Sequence, residues 1–217
     1  MEGRQTVLVV DDHPLFRKGV VQLLAMEPSI EVVGEAGNRE QALALVQRHE
    51  PDLILLDLNL KAENGLDILA ALKAEDPSRR VVMLTVSDAA EDLIGAIRAG
   101  ADGYLLKDME PEQLLDRVRA ALAGEVVIGE ALAARLASAL RQEAQDSAAR
   151  VKRDLALLTE REQQVLRCLA DGQSNKRIAR SLSITEGTVK VHVKNLLKKL
   201  NFRSRVEAAV WMAQQGG

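Results

Sequence analysis

Hydrophobic positions along this chain follow two rhythms. Up to about residue 125, short apolar runs alternate with longer amphipathic stretches: "TVLVV" (6–10), "EVVG" (31–34), "DLILL" (52–56), "VVMLT" (81–85) and "GYLL" (103–106). Their brevity, β-branching and lack of polar alternation predict strands of a parallel sheet covered on both faces. Helices are expected between them, near 14–26, 38–49, 66–74, 89–99 and 111–123. The start signals at Pro14, Pro111 and "GNREQAL" are weak, whereas "AGADG" (99–103) is a clear helix stop. Strand–helix alternation repeated five times predicts a doubly wound α/β domain over residues 1–125.

Beyond it the period changes. In "EALAARLASAL", Leu132, Leu136 and Leu140 recur at helical spacing. The polar, aperiodic "RQEAQDSAARVKRD" that follows reads as a tether, so 126–154 is expected to be a linker, helix first and tether after. Residues 155–217 contain no proline and read as four helices with very short connections. Thr159 with Glu162, and Ser204 with Glu207, have capping-box spacing, and Gly172 can end the first of these helices.

Composition sharpens the division. Residues 151–217 hold 13 Lys and Arg against 6 Asp and Glu, a balance of +7, while 1–150 carry −10; the net −3 hides an acidic and a basic part with different partners. With 47% hydrophobic and 2% aromatic residues, the core must be mostly aliphatic. The one cysteine, Cys168, sits among Val165, Leu166 and Leu169 and reads as a plain helix position, which excludes an internal disulfide and a cysteine-rich zinc site. No stretch approaches the ~18 apolar residues of a membrane span, and "MEGRQTV" lacks a signal-peptide pattern. A soluble cytoplasmic protein is expected, with no membrane partner.

Ligands of an open parallel sheet gather at the carboxyl ends of its strands. Four of the five expected strands end on a chemically useful group: Asp11 and Asp12, Asp57, Thr85, and Lys107. A flavodoxin-like order 2-1-3-4-5 makes the first and third strands neighbours and gathers the three carboxylates. Their repulsion amounts to several kcal/mol at low effective dielectric, and a hard, oxygen-seeking divalent cation such as Mg²⁺ removes it. Asp11 and Asp12 then form an incomplete metal cup faced by Asp57. A carboxylate so placed can form an acyl phosphate, with Thr85 donating to one phosphoryl oxygen and Lys107 neutralising another. The plainer alternative makes Asp57 a turn cap and Lys107 a solvated strand-end charge.

"VVDDHP", "DLILLDLN", the Thr85 strand end and "GADGYLLKD" resemble the receiver domain of bacterial two-component response regulators, across residues 5–123. The resemblance implies phosphorylation of Asp57 by a sensor histidine kinase, with catalysis shared by Asp57, Thr85 and Lys107. It implies Mg²⁺ held by Asp12, Asp57 and the backbone carbonyl of Asn59, and by Asp11 through water. It also implies a switch in which Thr85 moves toward the phosphoryl group and Tyr104 turns inward, although Tyr104 alone reads as a strand aromatic with a surface hydroxyl. Two departures touch loop geometry: Lys61-Ala62 replaces a common Met-Pro, and Asp108 replaces a common proline after Lys107.

In "TEGTVKVHVKNLLKKL", Val189, Val193, Leu196 and Leu200 form an inward stripe, while Lys190, Lys194 and Lys198 form a row on another face beside Val191. Such a helix, after a short helix and a tight turn, suits the major groove, although a lysine row is also an ordinary solvated face. Thr185, Thr188, His192, Lys199 and the "SNKR" segment (Asn175 and Lys176) are placed to hold phosphates. The span 155–214 resembles the LuxR/FixJ-type helix-turn-helix, and the whole chain the NarL branch of response regulators. That branch implies base contacts from Lys190, Val191 and Lys194, and dimerisation through Val206, Ala209 and Val210. Its implied partners are the kinase, double-stranded DNA and a second copy on that DNA, with RNA polymerase a further candidate. Its implied role is nitrate/nitrite-responsive transcription control of anaerobic respiration, with the unphosphorylated receiver covering the recognition helix. No turnover enzyme is expected, only self-phosphorylation and autodephosphorylation at Asp57. The rival readings are a phosphorylation-independent DNA-binding scaffold and a Mg²⁺-dependent phosphotransferase or phosphatase.

Overall fold

Four apolar residues in a row, Val7 to Val10, place strand β1 (Gln5–Val10) where both faces are covered. β2 (Ile30–Ala36) lies on one side of it and β3 (Leu53–Leu56) on the other, both parallel. This computed structural model describes residues 4–61, 63–129 and 155–215, the last three by backbone alone. β6 (Val81–Thr85) and β7 (Gly103–Leu106) extend the sheet, also in parallel. The order expected from the sequence is present, and a sixth strand continues it. β8 (Val127–Ile128) pairs Gly103 with Val127 and Tyr104 with Ile128, giving β2-β1-β3-β6-β7-β8. Residues assigned to the linker by the sequence thus complete the sheet; two apolar positions are too few to signal a strand. A small hairpin of β4 (Asn59–Leu60) and β5 (Glu63–Asn64) stands apart, at the Lys61-Ala62 departure; Ala62 itself is outside the described residues.

Alternate residues of each strand feed opposite layers, as a two-residue period requires. Leu8, Val10, Ile54, Leu56 and Met83 pack under α2 (Arg39–His49), α3 (Gly65–Glu75) and α4 (Ala90–Ala99). Val7, Val9, Leu53, Leu55 and Val82 pack under α1 (Pro14–Ala25) and α5 (Pro111–Ala123). The weak start at "GNREQAL" has a mechanism: Asn38 caps α2, its side chain accepting the Gln41 N–H at 3.0 Å. Left-handed glycines end α4 and α5, Gly100 at φ 106° and Gly124 at φ 91°.

The second domain holds α6 (Glu160–Ala170), α7 (Asn175–Leu182), α8 (Glu186–Lys199) and α9 (Arg205–Gln215) around a separate core. The capping box at α6 is complete: the Thr159 N–H donates to Glu162 Oε2 at 2.8 Å and the Glu162 N–H to Thr159 Oγ1 at 3.3 Å. At α9 the box is altered. Ser204 Oγ accepts the Glu207 N–H at 3.2 Å, but the Glu207 carboxylate takes the N–H of Arg203 at 2.8 Å. Phe202 and Trp211 meet edge to face at 5.5 Å, supplying bulk that an aliphatic core lacks. The Leu132/Leu136/Leu140 helix and the polar tether lie outside the described residues.

The two domains touch at the amino ends of the strands. Val206 is buried in the α/β core cluster that includes Ile97 and Ala101, with Val210 packed against it. A β-carbon added at Gly100 would stand 3.0 Å from the Arg203 carbonyl oxygen, and one at Gly124 2.6 Å from Arg205 Nη1. Both positions are left-handed, where a side chain is strained, and a β-carbon would crowd the neighbouring domain at each.

Candidate functional site

At the carboxyl end of the sheet, the Asp57 N–H donates to the Val10 carbonyl at 2.9 Å, fixing the end of β3 against the end of β1. Asp11 and Asp57 are each 2% exposed. Ligand atoms of Asp11, Asp12, His13 and Asp57 all lie within 4.8 Å of one another. Lys107 Nζ bridges two of these acids, 2.7 Å from Asp11 Oδ2 and 2.7 Å from Asp57 Oδ2, with the Phe16 ring 4.8 Å away. Burial pushes the Asp57 carboxyl above its usual range; Asp11 adds to this and Lys107 opposes it.

Backbone N–H groups hold the remaining oxygens: His13 donates to Asp11 Oδ1 at 2.7 Å, Lys61 to Asp12 Oδ2 at 2.9 Å and Asn59 to Asp57 Oδ1 at 3.3 Å. Asp12 Oδ1 is different. It is buried and accepts no hydrogen bond among the described residues, although His13 Nδ1 stands 2.9 Å away. An orphaned carboxylate oxygen among hard oxygen donors is what a divalent cation would satisfy. Three carboxylates against one ammonium also leave negative charge to neutralise. The donor set therefore fits Mg²⁺.

Thr85, fully buried, ends β6 beside this cluster, and its Oγ1 accepts the Ser87 N–H at 3.2 Å. Its carbonyl accepts the Lys107 N–H at 2.8 Å, tying the ends of β6 and β7. Tyr104 corrects the surface reading. Its side chain is fully buried, its hydroxyl donates to the Ser87 carbonyl at 3.0 Å, and burial pushes its pKa up to about 12. The inward position expected only after switching is already occupied.

At the opposite end of the sheet, the lysine row of α8 meets carboxylates of the α/β domain. Lys190 Nζ lies 2.7 Å from Asp52 Oδ1, and Lys194 Nζ 2.6 Å from Asp76 Oδ2. Burial raises both carboxyls, but the lysine bonds and neighbouring N–H and hydroxyl donors outweigh it and hold both below their ordinary values. Lys198 is exposed at the rim of a cavity between the domains, and Val191 is 56% exposed. The inward stripe is as expected, with Val189, Val193, Leu196 and Leu200 buried and Leu197 added.

Other expected DNA contacts have different partners. Thr185 caps α8 through the Thr188 N–H at 3.1 Å, and the hydroxyls of the two threonines are 2.8 Å apart. His192 is half-buried and Lys176 exposed. Lys199 binds Glu162 Oε2 at 2.7 Å, within its own domain. Asn175 is a clear correction: it is 3% exposed and its Oδ1 accepts Arg205 Nη1 at 3.1 Å, because the Arg205 guanidinium at the start of α9 reaches the start of α7. The expected dimer residues Val206 and Val210 are packed on the α/β core, while Ala209 packs within the helical core. Asp52, Asp76 and Arg205 escaped the sequence reading, which looked for chemistry at the carboxyl ends of strands only.

Residues 7–119 match the response regulator receiver domain, and residues 156–212 match the luxR family of bacterial regulatory proteins. The chain is 52% identical over 210 residues to the nitrate/nitrite response regulator protein NarL of Escherichia coli K12, covering 97% of this chain and 95% of that one. It is 50% identical over 211 residues to NarP of the same organism, described in the same terms, at 97% and 95% coverage. Among solved structures, the response regulator ChrA of a heme-sensing two-component system superposes with a TM-score of 0.51, at 30% identity and 98% coverage of both chains. No helix among the described residues is long and apolar enough to cross a membrane.

Proposed function

Because this chain belongs to the response regulators, joining a receiver domain to a luxR-family DNA-binding domain in one transcription factor, we propose that phosphorylation of Asp57 controls its access to DNA. A carboxylate oxygen of Asp57 attacks the phosphorus of a sensor kinase's phosphohistidine. The new O–P bond forms as the N–P bond breaks, and the imidazole nitrogen leaves with the electron pair and takes up a proton. Asp12, Asp57, the Asn59 carbonyl and, through water, Asp11 would hold Mg²⁺, which neutralises charge on the transferring group. Lys107 exchanges its bond to Asp57 for one to a phosphoryl oxygen, and the Thr85 hydroxyl turns toward another. Asp57 enters this chemistry with little rearrangement, since Lys107 already holds the oxygen that faces it.

The observation that carries the regulatory half is that Lys190 and Lys194, the lysines suited to bases, are each bonded to a receiver aspartate. A helix so engaged does not enter a groove. Breaking these contacts frees Lys190, Val191 and Lys194 for bases. It also uncovers Val206 and Val210, which with Ala209 would pair two copies on DNA. Similarity to NarL and NarP supports nitrate or nitrite as the upstream signal and a cytoplasmic location.

Acetyl phosphate with Mg²⁺ should label Asp57, speed proteolysis within residues 141–153 and tighten binding to promoter DNA. The Asp57→Asn protein should show none of these responses. Labelling of wild type that leaves both proteolysis and DNA affinity unchanged would reduce the receiver to a docking scaffold.

A further inference from the structure

We propose that the cleft between the two domains binds a small, multiply charged oxyanion of the phosphate class, held between Arg80 of the receiver and Arg205 of the DNA-binding domain. Both arginines line one cavity of about 240 Å³. Three of the four acidic groups on its walls are already matched, and the fourth, Glu50, is exposed to solvent. Asp52 takes Lys190 and Asp76 takes Lys194. Asp102 takes Lys73 at 2.6 Å and the Val81 N–H at 3.0 Å. Arg79 turns away to Glu75 at 2.9 Å.

Arg80 and Arg205 have carboxylates in their neighbourhood but no hydrogen bond to one among the described residues. Among the described residues their hydrogen-bond partners are all neutral: Arg80 donates to the Leu122 carbonyl at 2.5 Å, and Arg205 to Asn175 Oδ1 at 3.1 Å and the Gln173 carbonyl at 3.0 Å. A guanidinium has five N–H donors, so most of this capacity is unused. Arg205 is 7% exposed, and burial, followed by repulsion from Arg80, brings its pKa down to about 10 against the opposing pull of Asp102 and Glu125. Burial likewise lowers Arg80, against the nearby Asp102, Asp52 and Glu186.

Two like charges sharing a poorly hydrated cleft repel strongly. A tetrahedral oxyanion reverses that sign, because each planar fork can donate to a different edge of it. The cavity has room for phosphate or a small phosphomonoester and is too small for a large ligand. One arginine comes from each domain, so the bound anion bridges them and favours the docked arrangement. This inference stands apart from phosphorylation of Asp57, because its site is at the other end of the sheet.

The test is calorimetric titration of the full chain with inorganic phosphate, ionic strength held constant with chloride. One saturable site per chain is expected, together with slower proteolysis within residues 141–153 when it is filled. Arg80→Gln, whose side chain lies outside either hydrophobic core, should weaken binding about tenfold or more. Arg205→Lys, which keeps the charge and loses the fork, should weaken it less. Absence of saturable binding, or equal affinity in Arg80→Gln, overturns the proposal. So does loss of binding in Lys107→Ala with Arg80→Gln unaffected, which assigns the phosphate to the acidic pocket.

Discussion

The two ends of the receiver sheet use the same residue type in opposite ways. At the carboxyl end, Asp11, Asp12 and Asp57 face one another, and burial with mutual repulsion pushes Asp57 up. At the amino end, Asp52 and Asp76 stand apart, each with one lysine from the neighbouring domain, and both are held down despite their burial. Identical carboxylates are thus crowded together around one lysine, with an Asp12 oxygen unpaired, at one end, and singly paired and adhesive at the other. The lesson is that burial and company together decide what an aspartate does.

Substitutions can take the comparison apart, beginning with the largest effect. Asp57→Asn should abolish covalent labelling from a phosphodonor, whereas Asp52→Asn and Asp76→Asn should leave labelling intact; radiolabel incorporation separates them. Val206→Asp places an unpaired charge in the apolar contact between domains and should favour separation by on the order of 3 kcal/mol. Small-angle scattering would register it as an expanded particle without phosphorylation. Neutralising Asp52 and Asp76 together removes two partly exposed ion pairs, worth about 1 kcal/mol or less each. Unphosphorylated protein should then bind promoter DNA several-fold more tightly, and the gain should shrink at high salt.

The smallest effect is in acid, where the two ends should respond with opposite signs. Asp57 has a raised folded-state pKa, so its contribution is fully present below the ordinary carboxylate value and is lost as pH rises through the raised one. Asp57→Asn should therefore melt higher than wild type at neutral pH, by roughly 2–4 °C per kcal/mol relieved, and added Mg²⁺ should narrow the gap. Asp52 and Asp76 are depressed. Their contribution to docking is present above the ordinary value and fades as pH falls through the lowered ones, so interdomain protection from protease should weaken there. Matching slopes for the two ends would contradict this division.

What the sequence disclosed follows from how each feature is encoded. The five long strands, and the terminal groups of four of them, were legible because a buried run followed by Asp, Thr or Lys is a local signal. β8 was not, since Val127 and Ile128 become a strand only by pairing with β7. Asn175 reads as a solvated helix start, and its burial depends on Arg205, thirty positions later. Val206 and Val210 came only with the family resemblance, as dimerisation residues, and their contact within the chain was not legible. An apolar helix face specifies only that something covers it, and here the cover is the receiver core. Asp52 lay in plain sight as the first letter of a strand, and only the distant Lys190 gives it a task.

Gly124 carries two demands that no other residue type reconciles. Its left-handed backbone stops α5, a task asparagine could share. Its missing side chain also leaves standing room for the Arg205 guanidinium and for Asn175 Oδ1, 2.9 Å from where a β-carbon would sit. A single added methyl group there would act as a doorstop, pushing the Arg205 and Asn175 side chains off their places and loosening the contact between the domains. A genetic screen for signal-blind, always-on alleles would thus be expected to recover this position, at the opposite end of the sheet from Asp57.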